Sequence, residues 1–206
     1  MSVRIDGREF PADGSILDAV LAAGIDLPHL CKDDNLPAIG ACRTCLVEAD
    51  GRVVAACSAP ASSVREVLTT TERVERIRRG VLELTAAMGD PRPDLPHGPC
   101  GVQARQTFAA HAGVSNGLSR RERTAVDSTN PFFSFVETAC ILCGRCVAAC
   151  QQLQHIGAIG LAGAGLATRV TPGASITFRE SICTSCGSCV AACPTSALSP
   201  KTGGAE

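Results

Sequence analysis

Twelve of the chain's thirteen cysteines fall into three groups. Two of the groups repeat one spacing, C-x2-C-x2-C-x3-C, over Cys140, Cys143, Cys146, Cys150 and over Cys183, Cys186, Cys189, Cys193. Four thiolates at such intervals cannot form a relaxed set of disulfides among themselves, because each bridge demands its own separation and dihedral angle. They can wrap a cuboidal iron-sulfur core, whose iron takes soft thiolate ligands. Structural zinc also uses paired C-x2-C elements. It seldom uses a regular 2-2-3 spacing followed directly by proline, as Cys193 is followed by Pro194. The third group, Cys31, Cys42, Cys45 and Cys57, is spread as C-x10-C-x2-C-x11-C and offers four thiolates to a [2Fe-2S] cluster.

The doubled run matches the bacterial two-cluster ferredoxin pattern, in which three cysteines of each run hold one cluster and the fourth crosses to the other. On that pattern Cys140, Cys143, Cys146 and Cys193 hold one [4Fe-4S] cluster, and Cys150, Cys183, Cys186 and Cys189 hold a second. The small residues Gly144, Gly187 and Ser188 let backbone amides approach the sulfurs, where their hydrogen bonds stabilise a reduced cluster. Arg43 and Arg145 stand beside candidate ligands, either as charges that set cluster potential or as solvated surface residues, and both readings stay open. His29 is expected to pack or hydrogen-bond near the first cluster, whose four cysteines leave no place for a Rieske-type histidine. His111 and His155, in apolar or glycine-rich surroundings, are expected to be structural.

Positioning these thiols requires a scaffold, and the patterning supplies one. Val3, Ile5 and Phe10 alternate around a turn at Asp6 and Gly7, so residues 2–10 read as a hairpin. Ser15 opens a helix with Asp18 at capping-box distance. Ile16, Leu17, Val20 and Leu21 form its buried stripe and Gly24 stops it. Residues 46–48 and 52–55 flank a turn at Asp50 and Gly51, and residues 64–68 read as another strand. From Glu72 to Met88 the period becomes helical, with Val74, Ile77, Val81, Leu84 and Met88 on one face. Prolines 91, 93, 96 and 99 break that helix, and a second one is expected at residues 103–112. Residues 175–178 read as a short strand, and the tail from Ser199 as frayed.

The fold class is therefore α+β, in three parts. Residues 1–71 form an N-terminal β-grasp [2Fe-2S] ferredoxin-like domain, residues 72–127 a helical connector, and residues 128–206 a bacterial-type two-[4Fe-4S] domain. With 206 residues and 45% hydrophobic content, real cores are possible although Trp and Tyr are absent. The charged, strand-like start MSVRIDGREFPADG has no signal-segment character, so a reducing, cytoplasmic setting is expected for so many thiols. The apolar and glycine run 156–167 is too short for a membrane anchor. Net charge is −1 with acids and bases interspersed, which gives no nucleic-acid footprint and points to protein partners. No GxGxxG, P-loop or nucleophile motif follows a strand, so no substrate site is expected within the chain.

PHLCKDDNLPAIGACRTCLVE and VAACSAP resemble the N-terminal [2Fe-2S] domain of the iron-sulfur subunit shared by respiratory complex I, NAD-reducing hydrogenases and NAD-dependent formate dehydrogenases, where a ten-residue first gap is usual. NPFFSFVETACILCGRCVAACQ and ICTSCGSCVAACPTSAL resemble the double-cluster domain of the same family. Between them the family carries a further cluster on H-x3-C-x2-C-x5-C. Here only CGVQ resembles the segment at its last cysteine, so Cys100, with His97, reads as the remnant of a lost site. The resemblance implies one [2Fe-2S] and two [4Fe-4S] clusters. It also implies a relay role between a flavin- and NAD-binding iron-sulfur subunit and a hydrogenase or molybdenum/tungsten formate dehydrogenase catalytic subunit. Chain length favours the hydrogenase type. The competing readings are a scaffold subunit with structural clusters and a free-standing multi-cluster ferredoxin.

Overall fold

The computed structural model of the protein describes residues 1–88 and 125–201. Cys100, His97, His111 and the helix expected at residues 103–112 lie outside the described residues.

The chain opens on the expected hairpin. β1 (Ser2–Ile5) pairs antiparallel with β2 (Arg8–Pro11), and Val3 lies opposite Phe10. Asp6 (φ 45°) and Gly7 (φ 84°) are both left-handed, the combination that lets a two-residue turn follow the twist of its strands. Ser15 then caps α1 (Ile16–Ala22). Its hydroxyl accepts from the Asp18 amide at 3.2 Å while the Asp18 carboxylate accepts from the Ser15 amide at 2.9 Å. The buried stripe is Ile16, Leu17, Ala19 and Val20. Leu21, expected in that stripe, is 38% exposed, because it falls past the stripe's edge and Ala19 takes the inward place.

β3 (Leu46–Ala49) and β4 (Arg52–Ala55) form a second antiparallel hairpin, and β5 (Glu66–Leu68) follows a 3-10 turn at Ala61–Ser63. The strand expected from residue 64 begins two residues later because the Val64 amide still closes that turn onto Ala61. The Asp50 carboxylate accepts the Arg65 and Glu66 amides at 3.1 and 2.9 Å and so fixes where β5 enters. The strands order as β2-β1-β5-β3-β4, with β1 and β5 parallel and the other pairs antiparallel. Packed with α1 into one core, this mixed sheet is a β-grasp arrangement.

α2 (Glu72–Met88) spans the expected residues, but its inward face is rotated from the expected one. Val74, Leu82 and Thr85 are buried and Ile77 and Val81 pack on the core, whereas Leu84 and Met88 are 52% and 39% exposed. The Val74, Ile77, Val81, Leu82, Thr85 row keeps the helical repeat, and Thr85 satisfies its hydroxyl on the Val81 carbonyl at 2.8 Å.

Beyond residue 125 come β6 (Val126–Asp127), β7 (Phe133–Val136), α3 (Arg145–Ala148), β8 (Gly160–Ala162), β9 (Arg169–Thr171), α4 (Ser188–Ala192) and β10 (Leu198–Pro200). β10-β7-β6 form an antiparallel sheet, and β8 pairs with β9. Two expectations change here. Residues 175–178 are turns, since the Ser175 amide closes back onto Pro172 and Ile176 stands 89% exposed. The tail is not frayed at Ser199: β10 pairs Ser199 with Ser134, and the Lys201 amide bonds to Phe132. Phe178 supplies the apolar anchor, meeting Phe133 and Phe135 edge-on with centroids 5.2 and 6.1 Å away, while its amide donates to Asp127 at 2.8 Å.

The two cysteine-bearing units meet through the loop between Cys31 and Cys42. Leu36 is buried on Ala148, Ala149 and Ala192, with Ile39 beside it, and Leu30 packs with Ile141, Cys42 and Cys143. The long first gap of the N-terminal cysteine set is thus a docking loop. Among the described residues no helix is long and apolar enough to cross a membrane.

Candidate metal centres

The loop after α1 and the β3-β4 hairpin bring Cys31, Cys42, Cys45 and Cys57 together. Cys31, Cys45 and Cys57 are buried and Cys42 is half-buried. Cys31 contacts both Cys42 and Cys57, and Cys45 contacts Cys57. The contact with Cys31, and then burial, push the Cys42 thiol up. The hydrogen bond from Cys57 pulls Cys45 down. Cys57 is drawn down by Cys31, yet contact with Cys45 and burial carry it to about 11. Four sulfurs that compete for shared protons in an apolar pocket are a donor set that would give up those protons to solvent as their thiolates took up a metal core.

Thr44 is fully buried between two of these cysteines. Its hydroxyl oxygen accepts from the Leu30 amide at 3.2 Å and lies 3.1 Å from the Cys42 sulfur, to which the hydroxyl donates once that sulfur is a thiolate. A donor on a ligand sulfur favours the reduced centre. Thr44→Val is therefore expected to lower the potential of the [2Fe-2S] centre, by up to about tenfold in the reduced-to-oxidised ratio at fixed poise, the worth of one neutral hydrogen bond. An EPR-monitored redox titration of the full chain checks this. Arg43, at φ 58°, is exposed and belongs to the solvated surface. His29 donates through Nδ1 to the Leu27 carbonyl at 2.7 Å, and His155 is exposed at φ 54°.

The doubled run builds two pockets whose linings exchange the fourth cysteines. Cys140, Cys143, Cys146 and Cys193 line one of about 330 Å³. Cys150, Cys183, Cys186 and Cys189 line the other, of about 300 Å³. The repeats share one backbone form. Leu142 and Ser185 sit at φ 56° and 57°, and their amides donate to the sulfurs of Cys140 and Cys183 at 3.4 Å each. Gly144 (φ 81°) and Gly187 (φ 79°) are left-handed caps that start α3 and α4, which is why glycine stands at that place in both runs. The fourth cysteines also receive amides, Cys150 from Ala158 at 3.2 Å and Cys193 from Leu198 at 3.5 Å.

Burial raises the Cys143 and Cys146 thiols well above their ordinary value and, with the neighbouring cysteines, pushes Cys189 to about 12. Cys186 is exposed; its slight burial opposes ionisation, but hydrogen bonds from Ser188 outweigh this and lower it. Asn130, buried at 2% exposure, donates to Ser185 at 2.9 Å and holds the loop between Cys183 and Cys186. Among the described residues no three His, Cys, Asp or Glu side chains converge on a single-ion site. The thiols line volumes instead, with amides turned toward sulfur, and that arrangement fits a multi-iron core.

Thr44, Asn130 and Asp33 are the functional neighbours that sequence reasoning missed. Thr44 carried a signal in its place between Cys42 and Cys45; Asn130 and Asp33 act across 55 and 112 positions and carried none.

Such a chain is a two-unit iron-sulfur protein of the electron-transferring class. Comparison with known proteins agrees. Residues 1–72 match a 2Fe-2S iron-sulfur cluster binding domain, and residues 139–197 a 4Fe-4S dicluster domain. A chain in the crystal structure of NAD+-reducing [NiFe]-hydrogenase in the H2-reduced state superposes with TM-score 0.83 at 31% identity, covering 99% of this chain and 88% of that one. The mitochondrial NADH dehydrogenase [ubiquinone] iron-sulfur protein 1 of Solanum tuberosum is 31% identical over 80% of this chain, and the Bacillus subtilis protein YrhE, named as a formate dehydrogenase, 31% over 75%. This chain spans only 23% and 16% of the length of those two curated relatives. The chain belongs to the iron-sulfur subunit family shared by NAD-reducing hydrogenases, complex I and formate dehydrogenases. Its cofactors are one [2Fe-2S] cluster and a pair of [4Fe-4S] clusters.

Proposed function

We propose that the chain relays electrons between a flavin- and NAD-binding iron-sulfur subunit and a hydrogenase-type catalytic subunit. Cys31, Cys42, Cys45 and Cys57 hold the [2Fe-2S] cluster in this reading. Cys140, Cys143, Cys146 and Cys193 hold the first [4Fe-4S] cluster, and Cys150, Cys183, Cys186 and Cys189 the second. The parts are residues 1–71, 72–127 and 128–206. Bound clusters supply the one-electron carriers. The chain's own residues keep them dry, hold them on buried thiolates and direct amides at the sulfurs.

The observation that carries the reading is the continuity of the three thiol sets. Cys42 and Cys143 share one apolar contact cluster with Leu30 and Ile141, so the first set abuts the second across the docking seam. Cys146 and Cys189 interact electrostatically, so the second set adjoins the third, whose Cys186 is exposed at the surface. A scaffold has no use for such a line of centres ending at an exposed ligand.

Cys186→Ser tests the role. In the assembled complex it is expected to abolish turnover between the NAD and catalytic partners, while the flavin partner's own diaphorase activity persists. Full turnover in that variant overturns the relay.

A further inference from the structure

One charged residue at the seam is unexplained by folding or by the relay as described. Arg145 follows the left-handed Gly144 cap, between Cys143 and Cys146, and is only 1% exposed. Its guanidinium reaches out of its own unit into the docking loop of the other. There it pairs with the carboxylate of Asp33, itself 9% exposed, and donates to the Leu30 carbonyl at 3.5 Å. Leu30 immediately precedes Cys31. The same guanidinium interacts electrostatically with Cys193, on the second thiol set, and with Cys31, on the first.

A buried ion pair is a weak source of stability, since desolvation of both partners offsets their attraction and an apolar pair of like volume packs as well. Its charge, in contrast, has a direct consequence for the groups beside it. Reduction adds negative charge to a cluster, so a cation nearby favours the reduced form. In an interior of low effective dielectric that effect is little screened by salt or water. Two thiol sets are within reach of this one cation, and the carboxylate that moderates it comes from the opposite unit.

We propose that Arg145 is a shared electrostatic lever, raising the reduction potentials of the [2Fe-2S] centre and the first [4Fe-4S] centre together, with Asp33 limiting the rise. Docking of the two units thereby shifts both centres together against the centre held by Cys150, Cys183, Cys186 and Cys189, and so sets the driving force between that pair and the third centre. The inference rests on the ligand assignment proposed above.

The test is a pair of substitutions with opposite signs, read by EPR-monitored redox titration of the full chain. Arg145→Gln removes the positive charge. It is expected to move both potentials negative, by on the order of tenfold in the reduced-to-oxidised ratio at fixed poise, equivalent to about 59 mV for one electron. Arg145→Lys keeps the charge and is expected to restore most of the shift. Asp33→Asn keeps an acceptor for the guanidinium but removes the negative charge, so both potentials are expected to move positive. The centre held by Cys150, Cys183, Cys186 and Cys189 serves as the internal reference and stays put. Opposite shifts for Gln and Asn, shared by the first two centres, support the lever. Shifts of one sign in both variants, which loosened packing would give, overturn it, and so does a shift confined to one centre or equal in all three. Absence of a [2Fe-2S] signal from the unsubstituted chain overturns the ligand assignment along with the lever, whereas normal signals at unmoved potentials overturn the lever alone.

Discussion

Cys193→Ala is expected to strip about four irons from the chain, taken from the centre built by the first run although Cys193 ends the second. The expectation follows from the pocket linings, which join Cys193 to Cys140, Cys143 and Cys146 and leave Cys150 with Cys183, Cys186 and Cys189. Double substitutions make the test independent of spectral assignment. Cys193→Ala with Cys143→Ala removes two ligands of one centre, so the loss stays at about four irons. Cys193→Ala with Cys186→Ala damages both centres, so the loss rises to about eight. If each run held its own cluster, the two results would be exchanged. Iron and acid-labile sulfide per chain after anaerobic purification decide between them, against about ten of each for the unsubstituted protein.

The expectation of that crossing comes from thiolate spacing, which is a local code: the regular run and its proline leave few other chemistries open. The first hairpin and α1 were legible for the same reason, since a left-handed Asp6-Gly7 turn and the Ser15-Asp18 capping box are decided by residues within a few positions of each other. What failed depended on distant partners. Leu84 and Leu82 carry almost the same periodic signal, and only the folded chain separates them, with Leu82 at 3% exposure and Leu84 at 52%. Ser199 looked like a free tail because its partner, Ser134, lies 65 positions away. Arg145 could have been a surface charge by its spacing alone. Its burial follows from Asp33 and Leu30 arriving on the loop of another unit. The ten-residue first gap was visible but mute: its length makes physical sense only once Leu36 and Ile39 are seen on the other unit's alanines.

That loop gives the second large effect. Leu36, 4% exposed, inserts one bulky side chain among Ala148, Ala149 and Ala192, three small residues presented by α3, the turn that extends it, and α4. Large-into-small packing of this kind leaves no room for water to follow a polar group inward. Leu36→Asp places a carboxylate there with no partner and adds like charge beside Asp33. The combined loss of packing and burial of an unpaired charge is expected to cost roughly 3–5 kcal/mol at the seam. Each unit keeps its own core, the first around Val3, Leu17 and Val47 and the second around Phe133, Phe135 and Phe178. The expected product is therefore a chain that retains about ten irons but whose seam has opened. Limited proteolysis should then cut between Cys31 and Cys42, and electrons delivered to the [2Fe-2S] centre should equilibrate with the other centres far more slowly than in the unsubstituted protein. Leu36→Ala, which leaves a cavity without burying charge, should fall between the two. Unchanged equilibration in Leu36→Asp, with proteolysis confirming the open seam, would mean that contact across Leu30, Ile141, Cys42 and Cys143 is not the route by which the first centre communicates.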